Sequence, residues 1–269
     1  MNGQNVWWGS KLAVVATVMT TALVAFTTFR AVKTVTKAMG SLSEPPRHIN
    51  TGAALVSVII PTLNEENYLP LLLTSIQNQT YEPIEIVVAD SSTDSTPEIA
   101  RHAGATVIEV EELNISLARN MGAATAAGDI LLFCDADCVM AHDFVEKLVS
   151  NLNDGAILSH GSHFVYDNKF HNLLTGAWQH LKPIYWTTGR GVAIRRENFW
   201  AVGGYDVSCD PMHDCREDLT LGAAIEALFG PGSVRLDRSA VVATTARRPI
   251  GLSGGVWKER GHRNGVIPV

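Results

Sequence analysis

The sequence predicts an α/β protein whose central sheet is mostly parallel and doubly wound, preceded by one N-terminal transmembrane helix. Short apolar runs alternate with helical segments between residues 55 and 133, and the connections between them are short. The run Ile130–Phe133 is apolar throughout, which is typical of a strand buried on both faces of a parallel sheet. The transmembrane helix is predicted from the uncharged segment Leu12–Phe29.

The N-terminal segment also predicts an orientation. Leu12–Phe29 is long enough to cross a bilayer, and Trp7-Trp8 lies at one end, where an aromatic belt would sit. Lys11 precedes the segment, whereas three basic residues follow it closely: Arg30, Lys33 and Lys37. By the positive-inside rule, we expect a retained signal anchor with the C-terminal domain in the cytoplasm. An amphipathic helix lying in the membrane interface is the alternative.

Composition limits the classes of protein to consider. The chain has 269 residues, of which 46% are hydrophobic and 18% charged, enough for one large domain and an appendage. A net charge of −6 disfavours a nucleic-acid partner, because nucleic-acid binders normally carry a basic face. The four cysteines form no Cys-x-x-Cys pair and suggest reduced thiols in a cytosolic domain, with a Cys209–Cys215 disulfide as the alternative.

The first half of the domain reads as alternating strands and helices. We expect a helix after the first strand, capped by Asn64 and ending near Asn78, and a second helix opened by Pro97. A third, alanine-rich helix spans Ile115–Ala127. The expected strands are Leu55–Ile60, Ile84–Ala89, Ala105–Val110 and Ile130–Phe133.

The pattern is looser in the second half. We expect helices over Asp143–Leu152 and from the Arg216-Glu217 region to Phe229, and strands at Ala156–His160, Val234–Leu236 and Ala240–Thr244. The predicted organisation is a tail and anchor at 1–30, a juxtamembrane linker at 31–52 containing Pro45-Pro46, the main globular domain at 53–250 and a C-terminal tail at 251–269.

Two carboxylates follow the apolar run. Asp135 and Asp137 are spaced i, i+2, so in an extended chain they point to the same side. They lie where open α/β sheets bind ligands, beyond the carboxyl end of a strand. Mg²⁺ and Mn²⁺ are commonly held there by one or two carboxylates together with substrate phosphates. The alternative is that these aspartates cap the next helix.

Several ordered motifs resemble the family 2 glycosyltransferases, which have the GT-A fold. The resemblance covers roughly residues 55–250. Its motifs are VSVIIPTLNEENYL at 56–69, ADSSTDST at 89–96, ARNMGAATAAGDILLFCDADC at 118–138, GRGVAIRRENFWAVGGYD at 189–206 and REDLTLG at 216–222. It implies a hexosyltransferase that moves a sugar from a nucleotide-diphosphate donor to an acceptor with inversion at the anomeric carbon. A divalent metal, Mg²⁺ or Mn²⁺, would bridge the diphosphate.

The resemblance also implies roles for individual residues. Asp137 would be the principal metal ligand, Asp135 would touch the ribose or the metal-linked diphosphate, Asp218 would be the general base, and Glu217 would help to shape the acceptor site. The residues expected around the nucleotide are Pro61, Leu63, Glu65, Asp90 and Arg119. The implied acceptor is a lipid-linked or surface glycan, met at the cytoplasmic face of a membrane.

Structural roles remain open for these residues at this point. Glu65 and Asp218 could each be first-turn residues that stabilise a helix N-terminus, and Arg119 could pair with a surface carboxylate. Arg195 and Arg196 could approach the phosphates or form a solvated edge. Two other functions also remain open: a catalytically silent, membrane-tethered sugar-nucleotide or partner-binding domain, and a sugar-1-phosphate nucleotidyltransferase.

Overall fold

The computed structural model describes residues 52–166, 184–185, 187–209 and 217–245. The expected transmembrane segment Leu12–Phe29, the linker up to residue 51 and the tail from residue 246 lie outside the described residues. Among the residues that are described, no helix combines the length and apolar content needed to cross a bilayer.

The first half is the parallel, doubly wound unit that the sequence predicts. Its strands pair in the order β3-β2-β1-β4, and all three pairings are parallel. The elements are β1 (Val56–Thr62), α1 (Leu69–Gln77), β2 (Ile84–Asp90), α2 (Thr96–His102), β3 (Thr106–Glu109), α3 (Ile115–Thr125) and β4 (Ile130–Cys134).

The second half continues the same sheet with mixed pairing. Its elements are β5 (Val139–Met140), α4 (Phe144–Asn153), β6 (Leu158–Val165), β7 (Arg190–Arg195), α5 (Arg196–Ala201), α6 (Glu217–Phe229) and β8 (Val234–Thr244). Strand β7 runs antiparallel to β4 and to β6, β8 runs parallel to β6, and β5 runs antiparallel to β8. The eight-stranded sheet is therefore mixed, and only its first half is uniformly parallel.

The sheet is covered on both faces, as the apolar runs predict. Val58 and Ile60 of β1 and Leu132 of β4 pack on the side of α1 and α4. The alternate residues Ile59 and Leu131 pack on the side that carries α5 and α6. Successive residues of a strand point to opposite faces, so a strand with no polar position is buried on both.

Two local predictions differ from the structure. Asn64 does not cap the first helix, because α1 begins at Leu69 with Tyr68 at its N-cap. Asn64 instead adopts a left-handed conformation with φ 56°, and its Oδ1 accepts a hydrogen bond of 2.9 Å from the Thr93 amide. The last predicted strand pair is one strand, β8, whose register shifts opposite the Gly161/Ser162 step.

The topology brings several segments to one edge of the sheet. The parallel strands β1, β2 and β4 end there, and the antiparallel β7 begins there, with Arg190 opposite Cys134. The chain just beyond β4 is fixed to the chain just before β7 by a hydrogen bond of 2.9 Å from the Asp135 amide to the Gly189 carbonyl. This edge is where the candidate site is formed.

Candidate active site

The acidic pair lies directly beyond β4. Asp135 and Asp137 are both buried, at 8% and 6% exposure. Asp137 Oδ2 accepts a hydrogen bond of 3.1 Å from Thr245 Oγ1, and Asp135 Oδ1 accepts one of 2.9 Å from Arg119 Nη2. The next helix, α4, has Asp143 at its N-cap. The alternative in which the pair caps that helix is therefore wrong.

Arg119 joins this pair to a third carboxylate. Its side chain projects from α3, is 1% exposed, and donates from Nη1 to Glu217 Oε1 at 2.8 Å. The guanidinium carbon also lies 5.1 Å from the centre of the Tyr205 ring, within range of a cation–π interaction. Burial alone would lower the pKa of Arg119, but Tyr205, Glu217 and Asp135 together raise it above its usual range. Arg119 is thus a permanent buried cation, and the surface-pair alternative is wrong.

Gly189 makes room for this cation. A Cβ at position 189 would collide with Arg119 Nη2 and would lie 2.9 Å from Asp135 Oδ1. Glycine is required at this position because two charged groups approach the backbone closely. Gly191 differs, because its φ of +110° is itself one that glycine favours.

Asp218 lies in the first turn of α6, beside Glu217. Thr187 Oγ1 donates a hydrogen bond to the Asp218 backbone carbonyl, which ties this turn to the chain before β7. Burial and the neighbouring Glu217 charge raise the pKa of the Asp218 carboxyl to about 6, against the opposing effect of Arg119. A carboxylate with this pKa can accept a proton near neutral pH, as a general base must.

A second group of predicted residues lies at the ends of β1 and β2. Asp90 is 4% exposed, and its Oδ1 accepts hydrogen bonds from Thr62 Oγ1 at 2.6 Å and from Ser92 Oγ at 2.7 Å. Asp90 therefore has a fixed orientation at the carboxyl end of β2. Its neighbours across β1 are Pro61, paired with Ala89, and Thr62, paired with Asp90 itself.

Glu65 and Leu63 lie in the loop that follows β1. The Glu65 amide donates to Thr96 Oγ1 at 2.8 Å, and the Glu65 carbonyl accepts from the Leu69 amide at 2.9 Å. Glu65 is 3% exposed, and Leu63 packs against Ile115 of α3. The loop is therefore held against α2 and α3 beside Asp90.

The sequence analysis did not single out Arg190 and Tyr205, which the fold brings near the carboxylates of the site. Arg190 opens β7, and the field of Asp135, Asp137 and Asp218 acts on its guanidinium. Tyr205 is 2% exposed, and burial raises the pKa of its hydroxyl. The negative charges of Asp218, Glu217 and Asp135 raise this pKa further. The available signal for Arg190 was an arginine flanked by glycines, in the run Thr187–Gly191.

Arg195 and Arg196 do not approach this cluster. They lie at the opposite end of β7, where Arg195 pairs with Ile130 at the start of β4. Arg195 Nη2 donates to Asn153 Oδ1, and Arg196 donates to the carbonyl oxygens of Ala126 and Gly128. The suggestion that they approach the phosphates is wrong, because the direction of β7 places them away from the site.

The cysteines divide into two kinds. Cys134 and Cys138 are buried free thiols on either side of the acidic pair, as expected for reduced cysteines. Cys209 is disulfide-bonded, so the expectation of reduced thiols is wrong for this residue. Cys215 lies outside the described residues.

The acidic pair fits a divalent cation. In the described ranges, no set of three or more His, Cys, Asp or Glu side chains could hold a metal ion. Two buried carboxylates supply the hard oxygen ligands that Mg²⁺ and Mn²⁺ prefer, and substrate phosphates commonly complete the coordination of Mg²⁺. Asp135 binds Arg119 through Oδ1, which leaves Oδ2 for such a cation. Asp137 and Asp135 are therefore the residues that would hold it.

Comparison with known proteins identifies the family. The acidic pair lies beyond the carboxyl end of a central strand, which is where open α/β sheets bind their ligands. The model of glycosyl transferase family 2 matches residues 57–209. This chain belongs to that family, as its motifs indicated.

Two curated relatives come from Haloferax volcanii. The chain is 27% identical over 176 residues to a glucosyl-dolichyl phosphate glucuronosyltransferase, covering 57% of this chain and 56% of the relative. It is 32% identical over 100 residues to a dolichyl-phosphate hexose transferase, covering 37% of this chain and 44% of the relative. Glycosyltransferase GlyA of Streptococcus pneumoniae is 40% identical over 103 residues, covering 36% of this chain and 15% of that protein. The chain thus spans between about a seventh and just over half of these relatives.

Solved structures share the fold. A mannosyltransferase of Pyrobaculum calidifontis, solved with GDP-Man and Mn²⁺, has a TM-score of 0.58 at 22% identity, covering 96% of this chain and 77% of that chain. Staphylococcus aureus TarS, solved with UDP-GlcNAc, has a TM-score of 0.56 at 18% identity, covering 74% of this chain and 60% of that chain. These similarities confirm the GT-A fold.

The buried charge network gives a prediction about stability. Arg119→Met removes the cation but keeps an unbranched side chain, so Asp135 and Glu217 become uncompensated buried carboxylates. We expect a loss of about 3–5 kcal/mol in the free energy of unfolding, measured by urea denaturation.

Arg101→Met is the matched control. Arg101 is exposed and pairs with Glu98 at 3.6 Å and Glu109 at 3.9 Å. Exposed ion pairs contribute about 0–1 kcal/mol, so this variant should be nearly as stable as the wild type. Equal losses in the two variants would show that the Arg119 network contributes no special stability.

Proposed function

We propose that this chain catalyses metal-dependent, inverting transfer of a hexose from a nucleotide-diphosphate-sugar donor to a lipid-linked or surface-glycan acceptor. The observation that carries the proposal is that Asp218 adjoins Glu217 in the first turn of α6, and Arg119 joins Glu217 to Asp135 of the acidic pair beyond β4. The pKa of the Asp218 carboxyl is raised there. A single displacement requires a proton acceptor on one side of the sugar and a phosphate-binding site on the other.

The donor would lie across the two groups of residues. The ends of β1 and β2, with Asp90, Glu65, Pro61 and Leu63, would hold the nucleoside. The diphosphate would then reach Asp135 and Asp137. A divalent cation held there would neutralise negative charge on the leaving diphosphate. The solved relatives with GDP-Man or UDP-GlcNAc bound support a nucleotide-sugar donor.

The transfer is one displacement at the anomeric carbon. The acceptor hydroxyl oxygen forms the new bond from the face opposite the diphosphate, while the bond to the diphosphate breaks and its electron pair stays on the phosphoryl oxygen. Asp218 takes the hydroxyl proton, which makes the oxygen a better nucleophile. Attack from the opposite face inverts the anomeric configuration.

The acceptor and the membrane location rest on similarity and on sequence. Two relatives are named for dolichyl phosphate, which supports a lipid-linked acceptor. The uncharged segment Leu12–Phe29 and the basic residues after it support a single-pass anchor with the catalytic domain on the cytoplasmic side. If the acceptor atom were an ionised lipid phosphate, Asp218 would contribute much less, because no proton need be removed.

The donor site is tested by ligand-induced stabilisation. We expect one of UDP-, GDP- or dTDP-sugars to raise the melting temperature of the full chain only when Mn²⁺ is present. A ligand at 100 times its Kd stabilises the native state by about 2.7 kcal/mol. Asp137→Asn should abolish this stabilisation, because it removes a ligand charge from the cation site.

Asp154→Asn serves as the matched control, since the Asp154 side chain is 67% exposed and lies outside the site. Full stabilisation in Asp137→Asn would contradict the assignment of the metal ligand. A folded wild type that no donor stabilises would contradict the proposed function and favour a catalytically silent domain.

The general base is tested by the pH dependence of transfer. Because Asp218 must be ionised, we expect the rate to rise with pH through about 6 and then level off. Asp218→Asn should lower the rate by about 10²- to 10⁴-fold while donor binding is kept.

Stability should show the opposite trend with pH. The raised pKa means that folded Asp218 keeps a proton that the unfolded chain loses, so its contribution to stability falls as pH rises through about 6. Glu226→Gln, also on α6, is the control and should change neither profile. A wild-type pH–rate profile retained in Asp218→Asn would remove Asp218 as the base.

A further inference from the structure

Arg190 is a second cation in the site, and it is bound very differently from Arg119. It opens β7 at the edge of the sheet and is only partly buried. Its Nε is buried without a hydrogen-bond partner, and its Nη1 lies 3.5 Å from His163 Nε2, a long contact. Most of its five N–H donors are therefore unused, whereas Arg119 binds two carboxylates at 2.8 and 2.9 Å.

Nearby negative groups nevertheless keep Arg190 positively charged. Burial would lower its pKa, but the nearby Asp135, Cys138, Asp137 and Asp218 outweigh burial and raise it. Within the described part of the chain, no carboxylate forms an ion pair with it at 4.0 Å or less. Arg190 thus stays cationic in an acidic site with donors left for another oxyanion. Leaving the buried Nε donor unpaired is costly.

We propose that Arg190 binds the sugar-bearing phosphoryl group of the donor diphosphate and neutralises the charge left there when the sugar departs. This inference rests on the proposed function and adds a residue to it. As the bond between the anomeric carbon and the phosphoryl oxygen breaks, the electron pair remains on that oxygen. A guanidinium is suited to bind it, because its planar donors match phosphate geometry in two places at once.

The position of Arg190 favours the diphosphate over the acceptor. Arg190 pairs with Cys134 in the sheet, and the Asp135 amide donates at 2.9 Å to the carbonyl of Gly189, the residue before Arg190. Asp135 and Asp137 are the residues proposed for the diphosphate, and Asp218 is the one proposed for the acceptor. The backbone of Arg190 is also fixed, because its amide donates to Thr188 at 2.7 Å and Gly191 packs against Phe144.

The test compares nucleoside diphosphates with monophosphates. Binding of UDP, UMP, GDP and GMP to the full chain is measured by calorimetry in Mn²⁺. A charge-assisted hydrogen bond to phosphate is lost in Arg190→Gln, so we expect diphosphate affinity to fall by about 10-fold or more. Monophosphate affinity should change less than about two-fold, because these ligands lack the second phosphoryl group. Arg190→Lys, which keeps the charge, should lose less.

Arg195→Gln is the matched control, since Arg195 lies at the far end of the same strand and binds Asn153. It should leave all four affinities unchanged. Retained monophosphate binding in Arg190→Gln shows that the variant is folded.

Three outcomes would overturn the assignment of Arg190 to the diphosphate. Wild-type diphosphate affinity retained in Arg190→Gln overturns it while leaving the proposed function intact. Loss of detergent-dispersed farnesyl phosphate binding with unchanged UDP and GDP affinity would place Arg190 on the acceptor instead. If the wild type binds none of the four nucleotides, the proposed function fails and the role of Arg190 fails with it.

Discussion

The candidate site depends on one buried guanidinium. Arg119 projects from α3 and binds Asp135, which follows β4, and Glu217, which opens α6. These carboxylates lie 16 and 98 residues from Arg119 in the sequence. The contact therefore fixes the parallel half of the sheet to the helix that presents Asp218. Removing either type of charge would leave the other buried and uncompensated, which is more costly than losing an exposed ion pair.

The network also separates the carboxylates into different chemical environments. Asp135 is paired with a buried cation, whereas Asp218 is next to Glu217 and has a raised pKa. Carboxylates of one residue type can take different roles when their surroundings differ in this way. One can bind a cation or a phosphate partner as an anion, while another exchanges a proton near neutral pH.

The sequence was most informative where structure is local. The parallel strands, their helices and the acidic pair were predicted because apolar runs and short connections specify them directly. Strand β7 was not predicted, since the segment from Arg190 to Arg195 owes its conformation to pairing with distant β4 and β6. The sequence predicts a helix cap at Asn64 because asparagine is favoured at that position. Its actual contact with Thr93, 29 residues away, leaves no signal in the sequence.

Within the site, the sequence pointed to the motif residues, including Arg119, but did not single out Arg190 or Tyr205. A lone arginine such as Arg190 resembles a surface residue until the fold places it among carboxylates. The need for glycine at position 189 comes from the space that Arg119 and Asp135 occupy, which no sequence pattern reports. For Arg196 the sequence left two alternatives, phosphate contact or a solvated edge. The fold instead directs its guanidinium to backbone carbonyls.

A double-mutant cycle with Arg119→Met and Glu217→Gln, measured by urea unfolding, tests the central role of Arg119 most directly. Glu217→Gln removes one of the two carboxylate charges, so the later loss of Arg119 leaves one uncompensated carboxylate instead of two. We predict that the double variant loses at least about 1 kcal/mol less stability than the sum of the single variants. Losses that add to within about 0.5 kcal/mol would contradict a coupled charge network at the centre of this site.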